Sequence, residues 1–264
     1  MYGSEQQDNH RSAYPPLYSD HISKVHEMRR RSRDNEAEQV TWTGTERSPL
    51  EDGVWVVTLQ TDRGDITARY HPVPDGRDVL GGTVWVGGAG GGLDGPAHGL
   101  YPEACRRLQP LGVVGLRLHY RHPNYLEECV LDTLLGVEFL SREGIQNVAL
   151  IGHSFGGAVV IAAGALSDRV QAVVPMSTQT YGTDLAPRVA PRAMLLIHGS
   201  DDEVLPDACS RQVFERAKEP KELKLYRGAR HGLDQVREEL LDLLVRWIPD
   251  HLHDNRQQAG NEEV

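Results

Sequence analysis

A chain of 264 residues with 39% apolar content is long enough for one large α/β domain that folds without disulfide or metal staples. Its 38 acidic residues outnumber 28 basic ones, for a net charge of −10. That balance argues against nucleic acid or an anionic membrane surface as partner, because both demand a positive field. No apolar run approaches the ~20 residues of a membrane span, and residues 1–20 carry no apolar core of a secretory signal. Cys105, Cys129 and Cys209 form no CxxC pair, so neither a zinc knuckle nor a disulfide framework is indicated, and a reducing cytoplasm is the expected location. The 27 glycines are unevenly spread, nine of them falling within residues 81–99.

Residues 1–38 read as a flexible polar arm, or a short helix at about 20–33, a candidate for contacts between copies of the chain in a homo-oligomer. The basic run Arg29-Arg30-Arg31-Ser32-Arg33 is offset by Glu27, Asp34, Glu36 and Glu38, as on a solvated face. From residue 39 to 252 the pattern becomes regular. Val54–Thr61 and Asp65–His71, separated by Asp62-Arg63-Gly64, predict a β-hairpin. Further strands are predicted at Thr83–Val86, Val113–Leu118, Asn147–Ile151, Val170–Met176, Ala193–His198 and Glu222–Tyr226. Helices are predicted at about 97–109, 125–142, 155–166, 206–218 and 233–248. In the last of these Leu233, Val236, Leu240, Leu243, Leu244 and Trp247 share one face. Residues 253–264 read as a disordered tail.

Strands alternating with helices at this spacing predict a mainly parallel, eight-stranded sheet covered on both faces, a three-layer α/β/α sandwich. About 16 residues separate the strand ending at Met176 from the one starting at Ala193, which leaves no room for a large cap domain.

Gly152-His153-Ser154-Phe155-Gly156-Gly157 is a G-x-S-x-G motif. It follows the apolar strand Val148-Ala149-Leu150-Ile151 and opens a helix of small residues. A serine on such a strand-to-helix turn has its hydroxyl lifted above the sheet at a helix N-terminus. A serine nucleophile needs a base, and the base an orienting acid. Two later strand ends supply candidates. His198-Gly199-Ser200-Asp201-Asp202 follows one strand, and Arg230-His231-Gly232 lies just after the next. The order Ser154, Asp202, His231 is the order a strand-elbow hydrolase requires. Asp201 is the rival acid, with Asp184 behind it.

On these residues the chain resembles the α/β-hydrolase family over roughly residues 50–250. It is closest to compact, lidless members of the dienelactone-hydrolase-like and prolyl-oligopeptidase-like branch. The segment His198-Gly199…Asp202…Leu205-Pro206 matches that branch's H-G-x-x-D-x-x-[VL]-P pattern, and the resemblance implies Asp202 as the acid. It also places the oxyanion loop at Gly87-Gly88-Ala89-Gly90-Gly91-Gly92, with the backbone amides of Ala89 and Phe155 as donors. The family's loop begins with a His-Gly pair, and this chain has Gly87 where that His is expected.

Other readings are weaker. Gly90-x-Gly92-x-x-Gly95 fits the dinucleotide fingerprint, but Pro96 and the extra glycines make a long loop, and the following strand ends Arg117-Leu118-His119-Tyr120-Arg121 with no acid for a ribose. His119-x-x-His122 lacks further ligands for a metal. The expected function is a serine hydrolase of small carboxylic esters, with no cofactor and no metal. A peptidase or thioesterase on the same residues, or a non-catalytic binding protein of the same fold, stays open. Tyr101, Tyr120, Tyr125 and Tyr181 are candidates to line the substrate pocket.

Overall fold

The structure is a computed structural model that describes residues 40–252; the arm expected at 1–38 and the tail expected at 253–264 lie outside them. In chain order the strands are β1 (Trp42–Pro49), β2 (Trp55–Thr61), β3 (Ile66–His71), β4 (Gly81–Val86), β5 (Val113–His119), β6 (Val148–His153), β7 (Val170–Met176), β8 (Ala193–Gly199) and β9 (Lys221–Tyr226). The helices are α1 (Pro96–Leu108), α2 (Leu126–Arg142), α3 (Phe155–Leu166), α4 (Ala208–Arg216) and α5 (Arg237–Asp250). They build one sheet in the order β1-β2-β3-β5-β4-β6-β7-β8-β9. β1, β2 and β3 run antiparallel to their neighbours, and the six strands from β5 to β9 are mutually parallel.

The sheet therefore has nine strands where eight were expected. The added strand, β1, reads Trp-Thr-Gly-Thr-Glu-Arg-Ser-Pro and is exposed along most of its length. An edge strand with both faces near water needs no apolar alternation, so it leaves no periodic signal. Its anchor is Trp42, packed on Phe139 with ring centroids 6.3 Å apart and capped by the Arg142 guanidinium.

The inner parallel strands, β4 to β8, are buried almost without alternation because both faces are covered, whereas β9, at the sheet edge, alternates. Against one face, Val84, Val86, Leu116, Leu150 and Val173 pack with Phe139 and Leu140 of α2, Val159 and Ile161 of α3 and Val213 of α4. Against the other, Trp85, Ile151, Val174 and Ile197 pack with Leu100, Tyr101 and Leu108 of α1 and Leu240, Leu244 and Trp247 of α5. These are the three expected layers, with only residues 177–192 between β7 and β8 and no cap among the described residues.

One buried polar contact makes the fold sensitive to acid. His71 at the end of β3 is 3% exposed, and its Nε2 accepts the Nε–H of Arg117 at 2.9 Å. Burial, with the Arg117 charge, pushes the His71 imidazole down to about 4. Between about pH 6.5 and 4 the unfolded chain takes up a proton that the folded chain refuses, so this site's contribution to stability is lost as pH falls through that window. Its full size is about 3 kcal/mol. The urea midpoint is expected to fall from pH 7 to pH 4.5, and less steeply in His71→Gln, which keeps an acceptor for Arg117 but cannot titrate.

Candidate active site

The register of the parallel strands brings their carboxyl ends to one edge. Val86 pairs with Gly152, His153 with Met176, Met176 with Ile197 and Gly199 with Tyr226. The loops that follow β4, β6, β8 and β9 leave from that edge, where open α/β sheets bind ligands. They carry the glycine cluster, Ser154, Asp202 and His231.

Ser154 is the single residue between β6 and α3, with φ 57° and ψ −120°. A residue with a side chain in this region costs about 1–3 kcal/mol of local strain. The turn is fixed by Ser154 N–H donating to Met176 O at 2.8 Å and by Gly157 N–H donating to Ser154 O at 2.9 Å. Phe155 begins α3, and its amide is one of the first-turn N–H groups that have no acceptor within a helix.

His231 is held on three sides. Its Nδ1 lies 2.8 Å from Asp202 Oδ2. Its backbone carbonyl accepts from His153 Nε2 at 2.8 Å and from Ser177 Oγ at 3.1 Å. The His153 and His231 rings stand 4.8 Å apart, so His231 sits over the residue that precedes Ser154. Enclosure pushes the His153 imidazole down to about 4, which leaves it neutral at ordinary pH.

The carboxylate beside His231 belongs to Asp202. Its side chain is fully buried, and every face is used. Oδ1 accepts the N–H groups of Val204 at 2.9 Å and Leu205 at 2.8 Å. Oδ2 faces His231 and, at 3.1 Å, Nε2 of the buried His198. Burial alone would raise this carboxyl, but the amides of Leu205 and Val204 and the His231 ring outweigh it and hold the group below the usual carboxylate range. Asp201, by contrast, is exposed and accepts from Ser200 Oγ at 2.7 Å, while Asp184 faces Arg216 at 3.6 Å. His198 is a support residue. Its Nε2 also faces Leu205 O at 2.9 Å and therefore carries the proton, so the Ser210 hydroxyl donates to Nδ1 at 2.7 Å.

The glycine loop folds back on itself, Gly91 N–H donating to Gly88 O at 2.9 Å. A Cβ at Gly87 would stand 2.1 Å from Gly91 O, and one at Gly156 would stand 2.3 Å from Gly87 O. The loop and the Ser154 turn thus pack backbone on backbone, and a histidine at position 87 has no room. Gly88 lies over Ser154, an added Cβ being 3.6 Å from the serine Cβ, and Ala89 is exposed at the tip.

The four tyrosines separate. Tyr101 is completely buried, and its hydroxyl donates to Val86 O at 2.8 Å. Tyr120 is buried too, and donates to Gly87 O at 3.2 Å. These two do not line an open pocket; they tie down the start of the glycine loop. Tyr181 is half-buried against the core, and Tyr125 stays 68% exposed beside α2. Neither His119 nor His122 joins a metal cluster: among the described residues no group of three or more His, Cys, Asp or Glu is arranged to hold an ion.

The sequence model of the dienelactone hydrolase family matches residues 120–256, more than half of the chain. This chain belongs to the dienelactone hydrolase family. The match spans the Ser154 turn, Asp202 and His231. No curated protein sequence matches the chain. Solved structures of α/β serine hydrolases share its fold at low identity. A dienelactone hydrolase from Anabaena variabilis is 17% identical with a TM-score of 0.61, the match covering 80% of this chain and 100% of that one. Est1E from Butyrivibrio proteoclasticus is 16% identical with a TM-score of 0.63, covering 79% and 99%. An α/β serine hydrolase without a lid from Xanthomonas campestris is 18% identical with a TM-score of 0.61, covering 81% and 99%. As a member of the dienelactone hydrolase family, the chain carries only residues 177–192 between β7 and β8 and, among the described residues, no cap over the strand ends. No helix among the described residues is long and apolar enough to cross a membrane.

Proposed function

We propose that this protein is a serine hydrolase of small carboxylic esters, acting through Ser154, His231 and Asp202. The observation that carries the reading is the 2.8 Å contact of His231 Nδ1 with the buried Asp202 carboxylate, set beside a strained serine at the head of a helix. Nδ1–H donates to Asp202, which leaves the Nε2 lone pair for the Ser154 hydroxyl proton. As Oγ attacks the ester carbonyl, the proton passes to Nε2 and the carbonyl oxygen gains charge. The amides of Phe155 and Ala89 receive that oxygen, each donor worth about 3 kcal/mol to the transition state. His231 then protonates the leaving alcohol, and water, deprotonated by the same ring, releases the acid from the acyl-enzyme.

Tyr125 and Val204 are exposed in the loops that follow β5 and β8, and apolar side chains there favour a partly apolar acyl group. A reducing cytoplasm suits three buried cysteines that remain thiols. In a series of p-nitrophenyl esters, kcat/KM is expected to peak at two to four carbons (a ~ tenfold fall by eight is the rough scale expected for an open site). Peptide anilides and acyl-CoA substrates run in parallel are expected to turn over far more slowly. Faster cleavage of either would replace the ester reading by a peptidase or thioesterase one. A folded protein that neither cleaves any of the three nor reacts with a fluorophosphonate would leave a binding protein.

A further inference from the structure

β5 sends two side chains to the glycine loop. Arg117 and His119 are two residues apart, so they leave the strand on one face. His119 Nδ1 accepts the N–H of Gly92 at 2.9 Å, and its ring lies where a Cβ on Gly91 would come within 2.9 Å. Arg117 Nη1 donates to Leu93 O at 3.2 Å and to the Asp94 carboxylate at 3.0 Å. Arg117 is itself oriented by His71. Three successive residues of the loop's return limb, 92 to 94, are thus held from β5, while Tyr101 and Tyr120 hold Val86 and Gly87 on the outgoing limb. The tip between them carries Ala89 and leans, through Gly88, on Ser154.

Six of the nine residues from 87 to 95 are glycine, and a glycine-rich loop loses more conformational freedom on ordering than any other. Position 87 has no room for a side chain that could anchor the loop from within. We propose that His119, backed by Arg117, is a positioning residue: from the neighbouring strand it fixes the return limb, and so holds the Ala89 amide toward Ser154. The proposal rests on the serine hydrolase reading. Because its Nδ1 faces a backbone N–H, His119 acts as a neutral acceptor with its proton on Nε2. A donor displaced by about 1 Å loses on the order of a hundredfold in rate, and the loss falls on kcat, since the oxyanion exists only in the transition state.

The test compares His119→Phe, which keeps a ring but no acceptor, with His119→Gln, whose amide oxygen can accept from Gly92. On a short p-nitrophenyl ester His119→Phe is expected to lower kcat by about 10- to 100-fold with KM within about threefold, and His119→Gln to recover most of the loss. The Gly92 amide of the wild type is expected to exchange with solvent much more slowly than that of Gly90, and to lose that protection in His119→Phe. Unchanged kcat in a folded His119→Phe beside an active wild type overturns the proposal alone, as does an equal loss in the Gln variant. Should His119→Phe not fold, wild-type Gly92 exchanging as fast as Gly90 overturns it equally. A folded wild type that takes no fluorophosphonate and cleaves no ester sinks the hydrolase reading, and the proposal with it.

Discussion

Ser154→Ala is expected to abolish both ester hydrolysis and labelling by a fluorophosphonate, lowering kcat by about 10⁴-fold or more. The size follows from the role: without Oγ no acyl-enzyme forms, and only binding and the backbone amides remain to favour attack by water. Stability should barely change. Alanine at φ 57° meets the same backbone strain as serine, and the two backbone hydrogen bonds that fix the turn do not involve the hydroxyl. Kinetics and thermal unfolding on the same preparation separate the two effects. A variant that folds and retains more than a tenth of the activity would show that another residue carries the nucleophile.

Asp202→Asn is the second large loss expected, about 10³- to 10⁴-fold in kcat, with Asp201→Asn within about threefold of wild type. An amide in place of the carboxylate offers His231 Nδ1–H no charge and favours the wrong tautomer. It also fails on count. The carboxylate accepts from Val204, Leu205, His231 and His198, whereas an asparagine has one oxygen and two donors. At least one buried donor is left facing an N–H, which adds about 1–3 kcal/mol of destabilisation. Asp201 faces solvent and Ser200, so its amide loses little. Comparable losses in both variants, or the reverse order, would reject Asp202 as the acid.

What the sequence made legible follows from where each signal resides. The parallel sheet announced itself because buried strands must be apolar throughout, and the Ser154 turn because only small residues allow β6, α3 and the glycine loop to meet backbone to backbone. β1 was illegible because an exposed edge strand is under no such demand. Tyr101 in α1 and Tyr120 just after β5 turn their side chains into the core rather than toward a pocket, since residue type does not give direction. For Tyr101 a signal existed: it falls on the apolar stripe Ala97, Leu100, Ala104, Cys105 and Leu108 of α1, all buried, and a residue on that stripe faces the core. Asp202 and Asp201 are neighbours of identical chemistry, separated only by the Gly199–Leu205 turn that buries one and exposes the other. Arg117 was noticed only in a strand end that lacks an acid, and His119 there and as half of the His119-x-x-His122 pair. Their contact with residues 92 to 94 spans some 25 positions of chain and depends on a register that no local pattern encodes.

The segment that follows the glycine loop carries a further consequence. Ala97 N–H donates to Gly232 O at 2.8 Å, and Arg237 Nε donates to Ala97 O at 3.1 Å. Gly232, the residue after His231, is therefore stitched to a residue that follows the glycine loop, although 135 positions separate them in sequence. For anyone transplanting loops between such enzymes, the two are one cassette. Exchanging residues 87–99 alone would disturb the stitch and with it the placement of His231, whereas moving 87–99 and 230–237 together carries both of its ends to the new scaffold.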